Sequence, residues 1–260
     1  MDALRVELRM FCREYINTAH WPEFWRDPLL AAAPTDHRFD CLPRVASPDH
    51  LLPRELMPGC ETLLVYFLPF TPEMVQGNAA GKFASRDWGL SLDWTNELIG
   101  AAGDFLRDRL ADRGGACELT PATYNFDPET LTARWSHKHL ACLAGLGRFG
   151  VNAQLITPLG CAGRLGSLVT DLELGDHPLV QDRELCLHRA GKPCLKCMAA
   201  CPVGAVTPEG IHRPICNQRL QVNRKRLARN PGFSKDMEVC AKCVAGMPCA
   251  VAAPVVGRHP

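Results

Sequence analysis

The sequence predicts an α/β (α+β) domain followed by a small cysteine-rich domain, on three observations. Helix-period and strand-like apolar patterns share the first 180 residues. Eight of the 14 cysteines fall between Cys186 and Cys249. From about residue 181 long apolar runs give way to short spacings, as in a segment held together by its ligands more than by a core. The expected division is therefore 1–180 and 181–260, and 260 residues leave room for both parts.

Leu4, Leu8, Phe11 and Tyr15 recur at steps of four, three and four, which predicts an opening amphipathic helix. Residues 21–58 are rich in proline and aromatics and read as an irregular wrapping segment. Pro58-Gly59 marks a turn before a buried strand from Leu63 to Leu68, which Pro69 ends. A helix from Asp93 to Arg113 sets Trp94, Leu98, Ala102, Phe105 and Leu110 near one face, and Gly114-Gly115 stops it. His137 to Ala144 reads as a short helix stopped at Gly145. Two strands follow, Gln154–Thr157 and Gly166–Leu174, with a turn at Pro158-Leu159-Gly160.

Apolar content of 47% and charged content of 22% exclude disordered and fibrous classes. A net charge of +1 supplies no bulk field for nucleic acid or an anionic membrane. The first residues are too charged for an export signal, and the longest apolar run, Leu63 to Phe70, is less than half a membrane span. A cytoplasmic protein without a membrane partner is expected, and there clustered cysteines signal metal or redox chemistry. Cys12, Cys41, Cys60, Cys117, Cys142 and Cys161 follow no spacing rule; the last two read as small buried hydrophobes.

The cluster begins Cys186-x7-Cys194-x2-Cys197-x3-Cys201-Pro202. A Cys-x2-Cys-x3-Cys-Pro ending is that of bacterial two-cluster ferredoxins, in which the last cysteine ligates the other cluster. Cys216, Cys240-x2-Cys243 and Cys249 complete two sets of four. The cross-over rule assigns Cys186, Cys194, Cys197 and Cys249 to one [4Fe–4S] cluster, and Cys201, Cys216, Cys240 and Cys243 to a second. Structural zinc is the competing reading, because paired Cys-x2-Cys is also zinc geometry. Two clusters side by side pass electrons, so the preceding domain is expected to hold their acceptor.

Gly145-Leu-Gly147-Arg-Phe-Gly150 matches Gly-x-Gly-x-x-Gly, and Asp171 follows about twenty residues later. Dinucleotide binding needs a strand before the glycines and a helix after them, and here the order is inverted. The glycines then serve either a tightly packed turn or close backbone approach to a large flat ligand.

At this point the residues carry a likeness. Trp135-Ser-His-Lys-His-Leu-Ala-Cys-Leu-Ala-Gly-Leu-Gly-Arg-Phe-Gly-Val-Asn152, Leu155-Ile-Thr-Pro-Leu-Gly160 and Gly166-Ser-Leu-Val-Thr-Asp171, with the eight-cysteine tail behind them, resemble the epoxyqueuosine reductase family. The Leu63–Leu68 strand and Ala84-Ser-Arg-Asp-Trp88 resemble it more weakly, so the likeness spans roughly residues 58 to 250. It implies a nitroreductase-like cobalamin-binding domain over 1–180 and a two-[4Fe–4S] ferredoxin-like domain over 181–260, an arrangement shared with reductive dehalogenases. Gly145, Gly147, Gly150, Asn152, Thr157, Gly160 and Gly166 are the candidates for lining the corrinoid. No Asp-x-His-x-x-Gly motif is present, so no histidine from such a motif would ligate cobalt.

Two departures shape the expected function. The family's proton-donating Asp, opening an Asp-Ser-x-Pro stretch, would fall at or near Leu131, with Asp127 and Glu129 only nearby. The chain also ends eleven residues after Cys249, without the family's tRNA-holding helical repeat. The expectation is a shorter paralogue, a cobalamin-dependent iron–sulfur reductase acting on a small-molecule substrate, with nucleic acid disfavoured. A carrier or corrinoid-processing protein without turnover is the alternative, and FMN or no second cofactor the alternative to cobalamin. Tyr124, Asp127, Glu129 and His137 are the candidate proton donors. The basic run Arg219, Arg224, Lys225, Arg226 and Arg229 is either a solvated face or a dock for a low-potential donor such as ferredoxin or flavodoxin.

Overall fold

The structure, a computed structural model, describes residues 1–121, 126–229, 232–234 and 237–254. In chain order its main elements are α1 (Asp2–Thr18), β1 (Leu29–Pro34), β2 (Thr62–Pro69), α2 (Arg86–Ala111), β3 (Cys117–Leu119), α3 (His137–Leu143), β4 (Arg148–Phe149), β5 (Leu155–Ile156), β6 (Gly163–Thr170) and α4 (Arg213–Leu227). The fold is mixed α and β. No helix among the described residues is long and apolar enough to cross a membrane.

Two compact units share the chain. One comprises 1–68, 96–146 and 163–181, the other 69–95, 147–162 and 182–260. The last changeover is at 181/182. The second unit also takes in 69–95 and 147–162, segments whose apolar patterns do not differ from those of the first.

The first unit is built on a four-stranded sheet in the order β1-β2-β6-β3. Every residue of β2 is buried, as its unbroken apolar run requires. β1 pairs antiparallel with it, Leu29 opposite Phe67 and Pro34 opposite Thr62. That strand lies inside the segment expected to be irregular. Its Leu-Leu-Ala-Ala-Ala-Pro sequence carries little strand propensity, and pairing with β2 imposes the conformation. Helix α1 forms as its periodicity predicts and buries Leu4, Leu8 and Cys12. Helix α2 starts at Arg86, seven residues before the expected Asp93, and β6 runs from Gly163 to Thr170 in place of the expected Gly166–Leu174.

Tyr66 and Leu119 explain two glycines. The Tyr66 hydroxyl donates to the Ile99 carbonyl at 2.8 Å, a Cβ on Gly166 would run into the tyrosine ring, and one on Gly103 would strike the Leu119 side chain first and then the tyrosine hydroxyl. A large side chain in the core is thus accommodated by leaving methyl-sized gaps on the helix and the strand beside it.

The second unit contains the antiparallel pair β4–β5, a short pair at Val206–Thr207 and Gly210–Ile211, helix α4 and the cysteine-rich segment. Its loops are knitted by backbone bonds from Phe70 N–H to Ala162 (2.9 Å), Cys161 N–H to Cys249 (2.9 Å) and Ala162 N–H to Ala250 (2.8 Å). With few regular elements, these bridges and the side chains below decide where the thiols sit.

Candidate metal centre

Cys186, Cys194, Cys197 and Cys249 line one cleft in the second unit, with Gly150 and Asn152 on its wall. The Cys197 thiol is pushed up by burial and then by Cys249, Cys186 and Cys194 around it. Cys243 has other neighbours. Burial raises it to about 12, with further contributions from Cys216, Cys240 and Cys201 ahead of Cys197. The first four thiols thus share one cleft, and Cys216, Cys240 and Cys201 lie near enough to Cys243 to act on it. Among the described residues, no three His, Cys, Asp or Glu side chains are set for a single metal ion.

Two buried asparagines aim the second group. Asn78 Nδ2 donates to the Cys240 carbonyl at 2.9 Å while its Oδ1 accepts from Ser85 N–H at 2.9 Å. Asn152 Nδ2 donates to the Cys243 carbonyl at 2.9 Å, and its Oδ1 accepts from Gln154 N–H at 3.2 Å. Between the two cysteines, the buried Lys242 ammonium donates to the carbonyls of Asn78 (2.6 Å) and Ala80 (2.7 Å). The Cys-x2-Cys loop is therefore clamped from both sides to residues that sequence spacing does not connect with it. Asn78→Ala should leave a carbonyl and an N–H without partners, at about 1–3 kcal/mol each. A lower denaturant midpoint for the variant checks this; an unchanged midpoint would show the clamp to be idle.

Cys161 adds a ninth thiol. It is buried, and its Sγ lies 4.0 Å from that of Cys249, donating to it. The pair splits: the contact with Cys249 and burial hold Cys161 protonated, while the same contact favours Cys249 as thiolate, the ligating form. Gly160 makes the approach possible. Its φ of 87° is left-handed, and a Cβ there would strike the Ala250 backbone. Spacing gave Cys161 no role; the signal lay in Gly160 directly before it.

The other candidate positions have partners inside the protein. A Cβ on Gly145 would meet Pro178, on Gly147 the Ile156 carbonyl, and on Gly150 the Asn152 and Ile156 side chains. With Gly160 against Ala250 and Gly166 against Tyr66, each of the five faces protein atoms on its side-chain side. Thr157 is buried and spends its hydroxyl on the Gly160 carbonyl at 2.8 Å. Close packing, the first of the two readings, is thus met on the side-chain side of each of these glycines.

Among the proposed proton donors, Tyr124 lies outside the described residues. Asp127 is fully exposed; N–H groups of Thr130 (2.7 Å) and Glu129 (2.8 Å) bond its carboxylate and hold it below the usual range, so it keeps no proton to give. Glu129 is exposed on the same turn. Leu131, at the place where the resemblance would put an aspartate, has a left-handed φ of 55°. His137 is buried and neutral, with Nδ1 2.8 Å from Ser167 Oγ and Nε2 3.0 Å from the Pro121 carbonyl.

No family model matches the sequence. A curated epoxyqueuosine reductase from Synechococcus sp. (strain RCC307) is 30% identical over 157 residues, 58% of this chain. The match takes in 43% of that protein, so the chain spans less than half of the curated relative. The epoxyqueuosine reductase of Bacillus subtilis superposes with a TM-score of 0.57 at 17% identity, over 98% of this chain and 68% of that one. The catabolic reductive dehalogenase NpRdhA, in complex with 3-bromo-4-hydroxybenzoic acid, gives 0.54 at 13% identity over 87% and 30%. At these identities the two structures speak for a shared fold.

Proposed function

From the premise that the chain is epoxyqueuosine reductase-like, we propose that it is an iron–sulfur reductase carrying two [4Fe–4S] clusters and acting on a small substrate. The observation that supports the reading is that Cys186, Cys194, Cys197 and Cys249 line one cleft while Cys201, Cys216 and Cys240 act on Cys243; we assign these as the two ligand sets. A cubane takes one thiolate on each iron, so four thiols lining one cleft suit it. When bound, such clusters supply one-electron transfer. The protein's share is to favour the Cys249 thiolate through Cys161, and to fix Cys240 and Cys243 through Asn78, Asn152 and Lys242. We read 182–260 as the ferredoxin-like part, and most of the rest as nitroreductase-like.

Cobalamin enters through the resemblance. The glycines that would line it turn their side-chain sides to protein atoms, so any contact with the corrinoid would be through their backbone. A net charge of +1 gives no field to gather a polyanion, which supports a small substrate over tRNA. The state of the acids favours a second reading, a carrier without turnover of its own: Asp127 is held ionised, and both His137 nitrogens are occupied.

Anaerobic reconstitution with cobalamin or FMN, followed by metal analysis, separates these readings. About eight irons per chain and stoichiometric cobalamin are expected. A colourless chain holding zinc would end the iron–sulfur reading. Flavin uptake makes the protein a flavoenzyme, and iron without a second cofactor leaves the carrier.

A further inference from the structure

Helix α4 carries a feature that cluster binding does not use. Between residues 213 and 229 stand Arg213, Arg219, Arg224, Lys225, Arg226 and Arg229, with no acidic residue among them, in a chain whose net charge is +1. One or two cations in the last turn would satisfy the helix dipole; six exceed that. The helix has two distinct sides. Cys216 shares one with the buried Asn223 and Leu227, and Asn223 Nδ2 reaches the Val239 carbonyl one residue before Cys240. Gln218, Val222, Lys225 and Arg226 form the exposed side, with Arg229 just beyond its end. Val222 is 47% exposed at the centre of these cations.

The cations are gathered as well as present. The Arg219 and Arg226 guanidinium carbons lie 4.4 and 4.2 Å from the centre of one ring, Phe83. Arg219 also donates to the Lys82 carbonyl, and Arg224 is taken up by Glu238 at 3.5 Å. An apolar centre ringed by cations, on a helix whose other side presents a cluster thiol, suits a transient acidic partner that must come close to that cluster. From Cys216 to Val222 the rise is only about 9 Å along the axis.

Resting on the iron–sulfur reading above, we propose that the exposed side of α4, centred on Val222 with Lys225, Arg226 and Arg229, docks a small acidic protein that delivers low-potential electrons to the Cys201/Cys216/Cys240/Cys243 cluster. The patch spans about two helical turns and has an apolar centre. A nucleic acid would instead call for phosphate contacts spread over a wider basic surface.

The test is the doubly reversed variant Lys225→Glu/Arg229→Glu, which leaves Arg226 on Phe83. Reconstituted wild type and variant are reduced anaerobically by reduced flavodoxin and, separately, by dithionite. With flavodoxin the variant should be more than tenfold slower at low salt, the gap closing as salt rises. Its iron content and its dithionite rate should match wild type. Equal flavodoxin rates in two iron-loaded proteins overturn the docking surface and leave the iron–sulfur reading intact. The same holds for a variant that loses only binding to a tRNA stem loop. A wild type without iron overturns both.

Discussion

Cys249→Ala is expected to lower the iron content from about eight to about four per chain, and Cys243→Ala to do the same by emptying the other group. The informative variant is the double one. If the two cysteines serve different clusters, Cys243→Ala/Cys249→Ala loses the third and fourth ligand of neither set alone but one ligand of each, and should retain almost no stable cluster. If they served the same cluster, the double variant would keep about four irons, like each single one. Reduced spectra provide a second measure: coupled paramagnetic signals in wild type should become a single uncoupled signal in each single variant. Cys142→Ala should leave both measures unchanged.

The geometry behind this expectation is the chain's path after Cys243. The loop continues through the buried Val244 and Ala245, and Cys249 then arrives beside Cys161, bonded backbone to backbone. Five residues therefore separate Cys243 from Cys249. Cys161→Ser keeps a donor beside Cys249, whereas Cys161→Ala removes it. A shift in the reduction potential of one cluster in the alanine variant, largely restored by serine, would identify the hydrogen bond as the cause.

The cysteine spacing was legible because ligation chemistry acts over short stretches of sequence. Cys-x2-Cys-x3-Cys-Pro constrains its own backbone, and Cys194 and Cys197 do share a cleft with Cys186 and Cys249. What holds the groups in place was not legible. Asn78 and Lys242 are separated by 164 residues, and nothing local marks either as half of a clamp. The glycines show the same limit differently. Gly166 is needed because Tyr66 fills the space beside it, and a sequence cannot distinguish a gap left for a tyrosine from a gap left for a cofactor. Strand β1 escaped notice for a related reason: Ala31, Ala32 and Ala33 are fully buried by the elements around them and not by any preference of alanine for strands.

His137 should make the first unit acid-sensitive. Trp135 Nε1 donates to Ser167 Oγ at 2.9 Å, which leaves the Ser167 hydroxyl to donate to His137 Nδ1 while His137 Nε2–H donates to the Pro121 carbonyl. A second ring proton would have to sit on Nδ1, where it meets a hydrogen already in place. Burial, with Arg164 and His50 nearby, lowers the folded-state pKa from 6.5 to about 4. The unfolded chain therefore takes up a proton on falling through pH 6.5, and the folded chain only near pH 4. Folding stability is complete above that window and declines as pH falls through it, by about 3 kcal/mol at its foot. His137→Gln has no ionisable ring. It should be less stable than wild type near neutrality, having lost imidazole packing, yet should show a shallower decline between the two pH values. Acid loss of clusters is common to both proteins, so the comparison is between their slopes, followed by Trp135-sensitive fluorescence in urea. Parallel slopes would mean that His137 already carries its proton in the folded chain, and that Ser167 turns to accept it.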